Sequence, residues 1–263
     1  MRTPLFPALA LMAAVLVVGC GGKDSDSPVA VPGTEKGTKT RLLETGAAVL
    51  QDKPPVEALN AYLNGFHFYS GHMAGQMEAH HYCSLLNDEV VQCAIYDGNM
   101  HSAKLMGVEY IISERLFKAL PPAEKTLWHS HVHEVKSGQL IAPGIPQFAE
   151  EELMKKLVST YGKTWHTWHT DQDKDLPLGV PQLMMGFTAD GQADPAMVAG
   201  RDQRMGVRSE DKRKVRESIE APSVAPGADA WQQGRAVQLR DPTGQQHPHT
   251  HTAPGVQKAS TPP

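Results

Sequence analysis

The sequence has no excess of basic charge, no catalytic-nucleophile signature and no apolar run suited to a membrane-spanning helix. Its 25 lysines and arginines are outnumbered by 29 aspartates and glutamates, which gives a net charge of −4. The charges are dispersed and no nucleic-acid motif occurs, so nucleic acid is not an expected partner. None of the three cysteines lies in a recognisable nucleophile motif. The longest apolar run, residues 5–18, is too short to cross a bilayer comfortably.

The first twenty residues have the layout of an export signal. A positive start at Arg2 precedes the apolar run, and small residues close it. The tetrapeptide that ends at Cys20 reads Val-Val-Gly-Cys and resembles the bacterial lipobox, in which the cysteine is acylated and becomes the first mature residue. We therefore predict a lipoprotein signal peptide over residues 1–19 and lipid attachment at Cys20. A plain cleaved signal with a coincidental cysteine is the alternative.

Lipid attachment would anchor the protein to a membrane without embedding it. Gly21 and Gly22 follow the cysteine, so the aspartate that commonly retains lipoproteins in the inner membrane is absent. We predict a lipid-anchored protein of the cell envelope, on the periplasmic face of the outer membrane rather than at the inner membrane. The membrane is the expected partner, and the sequence identifies no protein partner.

Composition divides the mature chain into three parts. Residues 20–40 are rich in Gly, Ser, Pro and Thr and have few large apolar residues, which predicts a flexible tether. Residues 41–220 form the predicted domain. Residues 221–263 return to Pro, Gly, Gln and His and predict a mostly loose tail, in which Trp231, Val237 and Leu239 are the candidate anchors.

Hydrophobic periodicity predicts a mixture of helices and strands in the domain. Helical spacing covers residues 41–52, 56–63, 114–120, 148–161 and 210–220. Strand signals cover residues 66–69, 82–86, 90–96, 104–112, 164–170 and 183–187, and residues 132–136 with 140–142 read as a tight hairpin. Strands in hairpins with helices between them indicate an α+β single domain with a mostly antiparallel sheet and several helices, flanked by flexible terminal segments.

A histidine run at residues 129–134 is the main candidate for chemistry. On a strand, His129, His131 and His133 would share one face and Glu134 would point to the other. A His-x-His pair is a common way to present two nitrogens to zinc or a related metal, with a third ligand from elsewhere. Distant candidates for that ligand are His67, His80, His81, His166 and His169. The alternative is a hydrogen-bonded, half-buried polar surface without a metal.

Cys83 and Cys93 lie symmetrically about Asp88. In a hairpin that turns at Asp88 they would be directly opposite each other, close enough for a disulfide. Export to an oxidising compartment favours that bond. Two free buried thiols are the alternative.

Several ordered segments resemble the oil body-associated protein family, a family of unknown function. They are LNGFH (63–67), HYC (81–83), QCAIYD (92–97), LWHSH (127–131), EVKSG (134–138), YGKT (161–164) and PLGVPQLM (177–184). The resemblance spans about residues 41–220. It implies relatives that associate with seed lipid bodies, and it does not imply an enzyme. Residues that match the family pattern are His67, His81, His129, His131, Glu134 and His166.

Two classes of function follow from these observations. The first is a non-enzymatic envelope lipoprotein whose domain associates with lipid or with another envelope component. The second uses a divalent metal such as zinc, bound at His129 and His131 with His67, His81 or His166. It is either a metal-dependent enzyme with Glu134 as general base or a metal-binding module without turnover. The sequence requires no other cofactor.

Overall fold

The computed structural model describes residues 24–240. The predicted signal peptide, the lipid-attachment residue Cys20 and the tail beyond residue 240 therefore lie outside the described residues. Seven strands and eight α-helices make up the described chain. The strands are β1 (Ala61–Tyr69), β2 (His72–Leu85), β3 (Val90–Tyr96), β4 (Leu105–Ser113), β5 (His129–Ser130), β6 (Thr160–His166) and β7 (Gln182–Met185).

The helices surround the strands and connect them. They are α1 (Thr38–Leu50), α2 (Pro54–Glu57), α3 (Glu114–Lys118), α4 (Pro122–Lys125), α5 (Val132–Lys136), α6 (Gln147–Leu157), α7 (Pro195–Met205) and α8 (Ser209–Val215). Short 3-10 turns follow at Arg216–Ser218 and Ala230–Gln233. Among residues 24–240, no helix is both long and apolar enough to span a membrane.

Six of the strands close into an antiparallel barrel. Their order is β4-β3-β2-β1-β7-β6, and β6 returns to pair with β4. β5 is a short seventh strand that pairs with Tyr161 and Gly162 of β6. It lies on the same edge of β6 as β7 does. The prediction of a single α+β domain with a mostly antiparallel sheet is confirmed. Closure into a barrel leaves its six strands without a free edge.

Two apolar layers fill the barrel interior. One contains Leu63, Ile111 and the paired cysteines Cys83 and Cys93. The other contains Tyr69, Met77, Ala79, Ile95, Met106 and Met184. Because alternate residues of a strand face inward, the positions between these layers on β1, β2 and β4 also face the interior. The candidate site occupies that middle level.

Two predicted elements are wrong. The helix predicted over residues 56–63 ends at Glu57, and Ala61 already begins β1. Nine consecutive residues of β1 pair with β2, and this pairing outweighs the helical spacing of the local sequence. The hairpin predicted at residues 132–142 is also absent, since residues 132–136 form α5. Gly138, with φ of 78°, follows that helix, and Ile141 then bridges Asn64 of β1.

Two further boundaries differ from the prediction. The helix predicted to reach Tyr161 ends at Leu157, and the strand predicted over 164–170 is β6, which begins at Thr160. β4 pairs with β6 along all seven of its residues, from Thr160 to His166. Pairing between strands so distant in sequence has no local signal, so the helical spacing alone does not show where α6 ends.

The segments that flank the domain make contact with it. Ser25 and Val29 are buried, and the backbone N–H of Ser25 donates to Asn99 Oδ1 at 2.8 Å. At the other end, the predicted anchors Trp231 and Val237 pack on an apolar cluster outside the barrel, whereas Leu239 is 48% exposed.

Candidate functional site

Seven ionisable side chains meet inside the barrel at the middle level, and we call them the lumen cluster. Each is at most 4% exposed. They are His67 on β1, His81 on β2, Glu109 on β4, His129 on β5, His131 just after β5, Glu134 on α5 and His166 on β6. Seven such groups in one dry interior need charge compensation or ligands.

Glu109 is at the centre of the lumen cluster. Its Oε2 lies 3.0 Å from His81 Nε2, and its Oε1 lies 3.3 Å from His129 Nε2 and 3.4 Å from His131 Nε2. Glu109 was not among the residues predicted for the site. The signal was the alternation of β4, where exposed Val108 and Tyr110 flank a position that must face inward. A carboxylate at an inward-facing position of an otherwise apolar strand therefore indicates a buried polar site.

His67 links the two sides of the cluster. Its Nδ1 lies 3.3 Å from His166 Nε2, and its Nε2 lies 3.3 Å from His81 Nε2. A neutral imidazole has one donor and one acceptor nitrogen, so His67 can satisfy only one partner as donor. Lone pairs of several imidazoles consequently converge on a small volume.

Two overlapping sets of side chains have the composition of a metal site. In each set the ligand atoms lie within 4.8 Å of one another; the sets are His67, Glu109 and His129, and His129, His131 and Glu134. Each supplies two imidazole nitrogens and one carboxylate oxygen, a combination that binds zinc, iron or manganese. Both sets use His129, and a neutral imidazole offers one lone pair, so they describe one metal position with alternative ligands.

Several polar atoms of the lumen cluster have no hydrogen-bond partner among residues 24–240. They are both ring nitrogens of His129, Nδ1 of His81, Nδ1 of His166 and Oε2 of Glu134, together with the neighbouring Thr164 Oγ1. His129 Nε2 approaches Glu109, but not along the direction of an N–H donor. A buried polar atom left without a partner costs roughly 1–3 kcal/mol, so this many in one place are a cost that bound water or a ligand would relieve.

The two buried glutamates titrate in opposite directions. Burial alone would raise the pKa of Glu109, but the imidazoles of His129, His131 and His81 outweigh it and hold that pKa well below its ordinary value. Burial, and then the negative charge of Glu109, raises the pKa of Glu134 well above its ordinary value. The surroundings of the cluster therefore favour the ionised form of Glu109 and the protonated form of Glu134.

Three histidines of the cluster are held neutral. Burial lowers the pKa of His67 and of His129, and it lowers the pKa of His166 to about 3. Neutral imidazole is the form that coordinates a metal ion. These three side chains are thus in the protonation state that a metal requires.

Two glycines make room for the cluster. A Cβ on Gly162 would lie 2.1 Å from Glu109 Oε1 and 2.7 Å from His129 Nε2. A Cβ on Gly186 would lie 2.7 Å from Glu134 Oε2. Because real Cβ atoms do not approach so closely, the site is built directly against bare backbone at both positions.

The structure corrects the predicted geometry of the histidine run. The three histidines do not share a strand face, because β5 ends at Ser130 and α5 begins at Val132. His129 and His131 reach the lumen, whereas His133 lies 3.8 Å from Asp190 on another side. Glu134, which was predicted to point away, is brought into the cluster by the turn of α5.

Of the other candidate histidines, three lie in the lumen cluster and two lie outside it. His67, His81 and His166 belong to the lumen cluster. His80 lies on the opposite face of β2, where its Nδ1 is 2.7 Å from Tyr62 Oη. The ring of His169 lies beside Tyr69, with Nε2 3.2 Å from the carbonyl oxygen of Val180.

A cavity of about 10 Å³ adjoins the cluster. Its walls include His67, His81, Glu109, His131 and Glu134. Such a volume holds about one water molecule. The cavity has no room for an organic substrate.

Cys83 and Cys93 are directly opposite in the β2–β3 ladder. The structure joins them by a disulfide with 4.0 Å between their α-carbons. The disulfide lies in the apolar layer next to His81 and so forms part of the surroundings of the site.

Comparison with known proteins gives the family. A family model described as "Protein of unknown function (DUF1264)" matches residues 53–220. The chain is 42% identical over 214 residues to oil body-associated protein 1B of Arabidopsis thaliana, which covers 81% of this chain and 89% of that relative. It is 41% identical to oil body-associated protein 1A of Zea mays, over 81% of this chain and 90% of that protein.

The chain belongs to the oil body-associated protein family. A further member, oil body-associated protein 2C of Arabidopsis thaliana, is 38% identical over 81% of this chain and 90% of its own length. Every residue of the lumen cluster lies within the matched range, whereas α1 lies before it. No solved structure matches.

Proposed function

We propose that this oil body-associated family protein is a metal-binding module that holds one divalent transition metal, zinc in the first instance, in the lumen cluster. The observation that carries the proposal is His129. Both of its ring nitrogens are buried without a hydrogen-bond partner among the described residues, between two carboxylates and within ligand distance of further imidazoles.

The donor chemistry supports zinc. His129 with Glu109 and His67, or with His131 and Glu134, would supply nitrogen and oxygen ligands of the type that bind zinc at about 2.0–2.2 Å. A divalent cation would also lower the pKa of Glu134, because its positive charge opposes both causes of the raised pKa, burial and the negative charge of Glu109.

The size of the site favours binding over catalysis on an organic substrate. The adjoining cavity accommodates about one water molecule, and every ligand candidate is buried. A metal-dependent enzyme is the second candidate. It is supported by Glu134, whose raised pKa suits a general acid or base, and it would act on a molecule as small as water.

The cellular setting we propose is the envelope. The lipobox-like sequence ending at Cys20 supports acylation and anchoring at the periplasmic face of the outer membrane. The relatives are named for association with oil bodies, which supports a lipid surface as the environment of this domain as well.

Metal analysis of the purified chain tests the proposal. We use the full mature sequence with Cys20→Ser, so that no acyl chain is present, and reconstitute it with zinc after removal of metal by chelation. The expected result is about one equivalent of tightly held zinc, lost on His129→Ala with His131→Ala. Less than about a tenth of an equivalent in the unsubstituted domain would overturn the proposal.

Two controls separate lost ligands from lost folding. His101→Ala removes an exposed histidine outside the cluster and should leave the zinc content unchanged. His129→Gln keeps a polar side chain of similar size, so a folded variant, judged by circular dichroism, should still lose zinc. Retention of zinc in folded His129→Gln and in the double variant would contradict the assignment of these ligands.

A further inference from the structure

Helix α1 (Thr38–Leu50) has an apolar face that nothing in the described structure covers. None of its 13 residues is buried. Leu42, Leu43, Val49 and Leu50 each expose at least 64% of their surface. Four large apolar side chains exposed on one short helix are unusual for a surface that only water contacts.

The pattern of α1 is that of an amphipathic helix. At 3.6 residues per turn, the four apolar side chains fall within an arc of about 120°. Thr40, Arg41 and Glu44 lie on the remaining surface. A 13-residue helix with Gly46 at its middle is marginal by itself in water, so α1 needs a partner surface for stability.

The segment before α1 sets which side of the domain faces the membrane. The backbone of Ser25 exchanges hydrogen bonds with Asn99, at 2.8 and 3.1 Å, and Ser27 Oγ donates to Asp97 Oδ2 at 2.6 Å. The predicted acylated residue Cys20 is five residues before Ser25. A fully extended chain of that length reaches about 18 Å, so the loop at Asn99 can never be far from the acyl chains.

The same side of the domain carries an apolar groove of about 610 Å³. It is lined by residues of α2, of the β2–β3 pair and of the loop that holds Ser25; they include Val56, Leu59, Tyr82, Tyr96 and Met100. α1 ends four residues before the first residue of α2. α1 and the groove are therefore close along the chain, and the groove wall includes Asn99, which holds the segment that leads back to the predicted attachment point.

We propose that α1 lies in the membrane interface, with Leu42, Leu43, Val49 and Leu50 among the phospholipid acyl chains, and so holds the groove side of the barrel against the bilayer. This inference rests on the proposed lipid attachment at Cys20. Because the predicted anchor keeps the domain close to the bilayer, we take lipid, and not a second copy of the protein, as the partner of the apolar face of α1. Lys39 lies within the arc of the apolar face, in the first turn of α1, and its long side chain can extend the ammonium group to the phosphates.

Site-directed spin labels on the full acylated protein test this orientation. The protein is placed in vesicles of phosphatidylethanolamine and phosphatidylglycerol. Single labels at Leu43→Cys and Leu50→Cys report the apolar face, and labels at Thr40→Cys and Glu44→Cys report the polar face. We expect the ratio of oxygen collisions to collisions with a water-soluble nickel chelate to be at least about threefold higher on the apolar face.

Two further measurements separate a failure of the α1 proposal from a failure of the lipid attachment at Cys20. Mass spectrometry reports lipid on Cys20 and vesicle flotation reports attachment. If the lipid is present and all four labels meet the chelate equally, the proposal for α1 is overturned and the anchor stands. If Cys20 carries no lipid, both are overturned. Labels at Leu43→Cys and Leu50→Cys that are protected from the nickel chelate in Cys20→Ser protein without vesicles would also overturn the proposal for α1. Such protection would mean that another copy or another part of the chain covers the apolar face.

Discussion

At the scale of single residues, Glu109 and Glu134 show how position determines charge. Both are buried glutamates, yet neighbouring imidazoles lower the pKa of Glu109 whereas burial and the charge of Glu109 raise that of Glu134. The run at His129 and His131 was visible in the sequence as a metal-ligand pattern. Glu109 was not, because its neighbours in sequence are apolar and its partners come from β2, from β5 and from the residue that follows β5.

Gly162 is the residue whose replacement should disturb the cluster most directly. Its backbone is held by β4 on one side and β5 on the other, so it cannot move to relieve the contact of a new Cβ with Glu109. We expect Gly162→Ala to lower the free energy of unfolding by roughly 1–3 kcal/mol and to weaken zinc binding, as measured by urea denaturation and metal titration.

Gly200→Ala is the matched control, because a Cβ there meets only Arg204 Nη1 at 3.4 Å, the end of a flexible side chain on α7. That variant should keep its zinc and should gain up to about 1 kcal/mol in stability, because alanine is favoured over glycine inside a helix. Equal behaviour of Gly162→Ala and Gly200→Ala would mean that the cluster is not held as tightly as the structure indicates.

Asp229 gives a pH-dependent prediction outside the lumen cluster. Burial raises its pKa to about 7 while its carboxylate accepts from the backbone N–H of Ser130. Because folding raises this pKa, the contribution of the Asp229 carboxyl group to the free energy of unfolding is complete below about pH 4. That contribution is lost as the pH rises through about 7. Asp229→Asn is neutral at every pH, and asparagine tolerates the left-handed backbone at this position.

We therefore expect Asp229→Asn to match the unsubstituted protein in stability near pH 4 and to exceed it by up to roughly 4 kcal/mol at pH 8. Urea denaturation at a series of pH values measures the difference. A gap that stays constant between about pH 4 and pH 8 would show that the Asp229 carboxyl group does not titrate as described.

At the scale of elements, the β2–β3 hairpin was predictable, whereas the crossovers and the segment that follows β5 were not. β2 and β3 flank the polar turn at Asp88, and their pairing follows from adjacent alternating segments. The strand predicted at residues 132–136 failed because β5 has only two residues, and its pairing with Tyr161 and Gly162 comes from a distant part of the chain. A local period cannot reveal where such a strand ends.

The disulfide across the β2–β3 hairpin yields the element-scale prediction. Thiol titration of the protein, isolated and denatured without reductant, should find no free thiol at Cys83 or Cys93. Reduction should lower the free energy of unfolding by roughly 2–4 kcal/mol, because the bond restricts the unfolded chain. Two titratable thiols in protein isolated in this way would contradict the bond, and Cys83→Ser with Cys93→Ser controls for the reductant.

At the scale of the whole molecule, barrel closure creates the site. The pairing of β4 with β6 closes the sheet, and the closed wall keeps the lumen cluster away from bulk water. The sequence predicted the α+β class and the antiparallel sheet, but closure depends on pairing between strands about fifty residues apart, which no local pattern carries. For the same reason, His67, His81 and His166 could be named as candidates but not placed together.

Crystals of the zinc-loaded protein, measured on both sides of the zinc absorption edge, test the central claim most directly. The account predicts one dominant anomalous peak inside the barrel, bonded to His129 and to at least one of Glu109 and His131 at about 2.0–2.2 Å. A map with no peak in the lumen, or with zinc only at an exposed histidine such as His101, would contradict it.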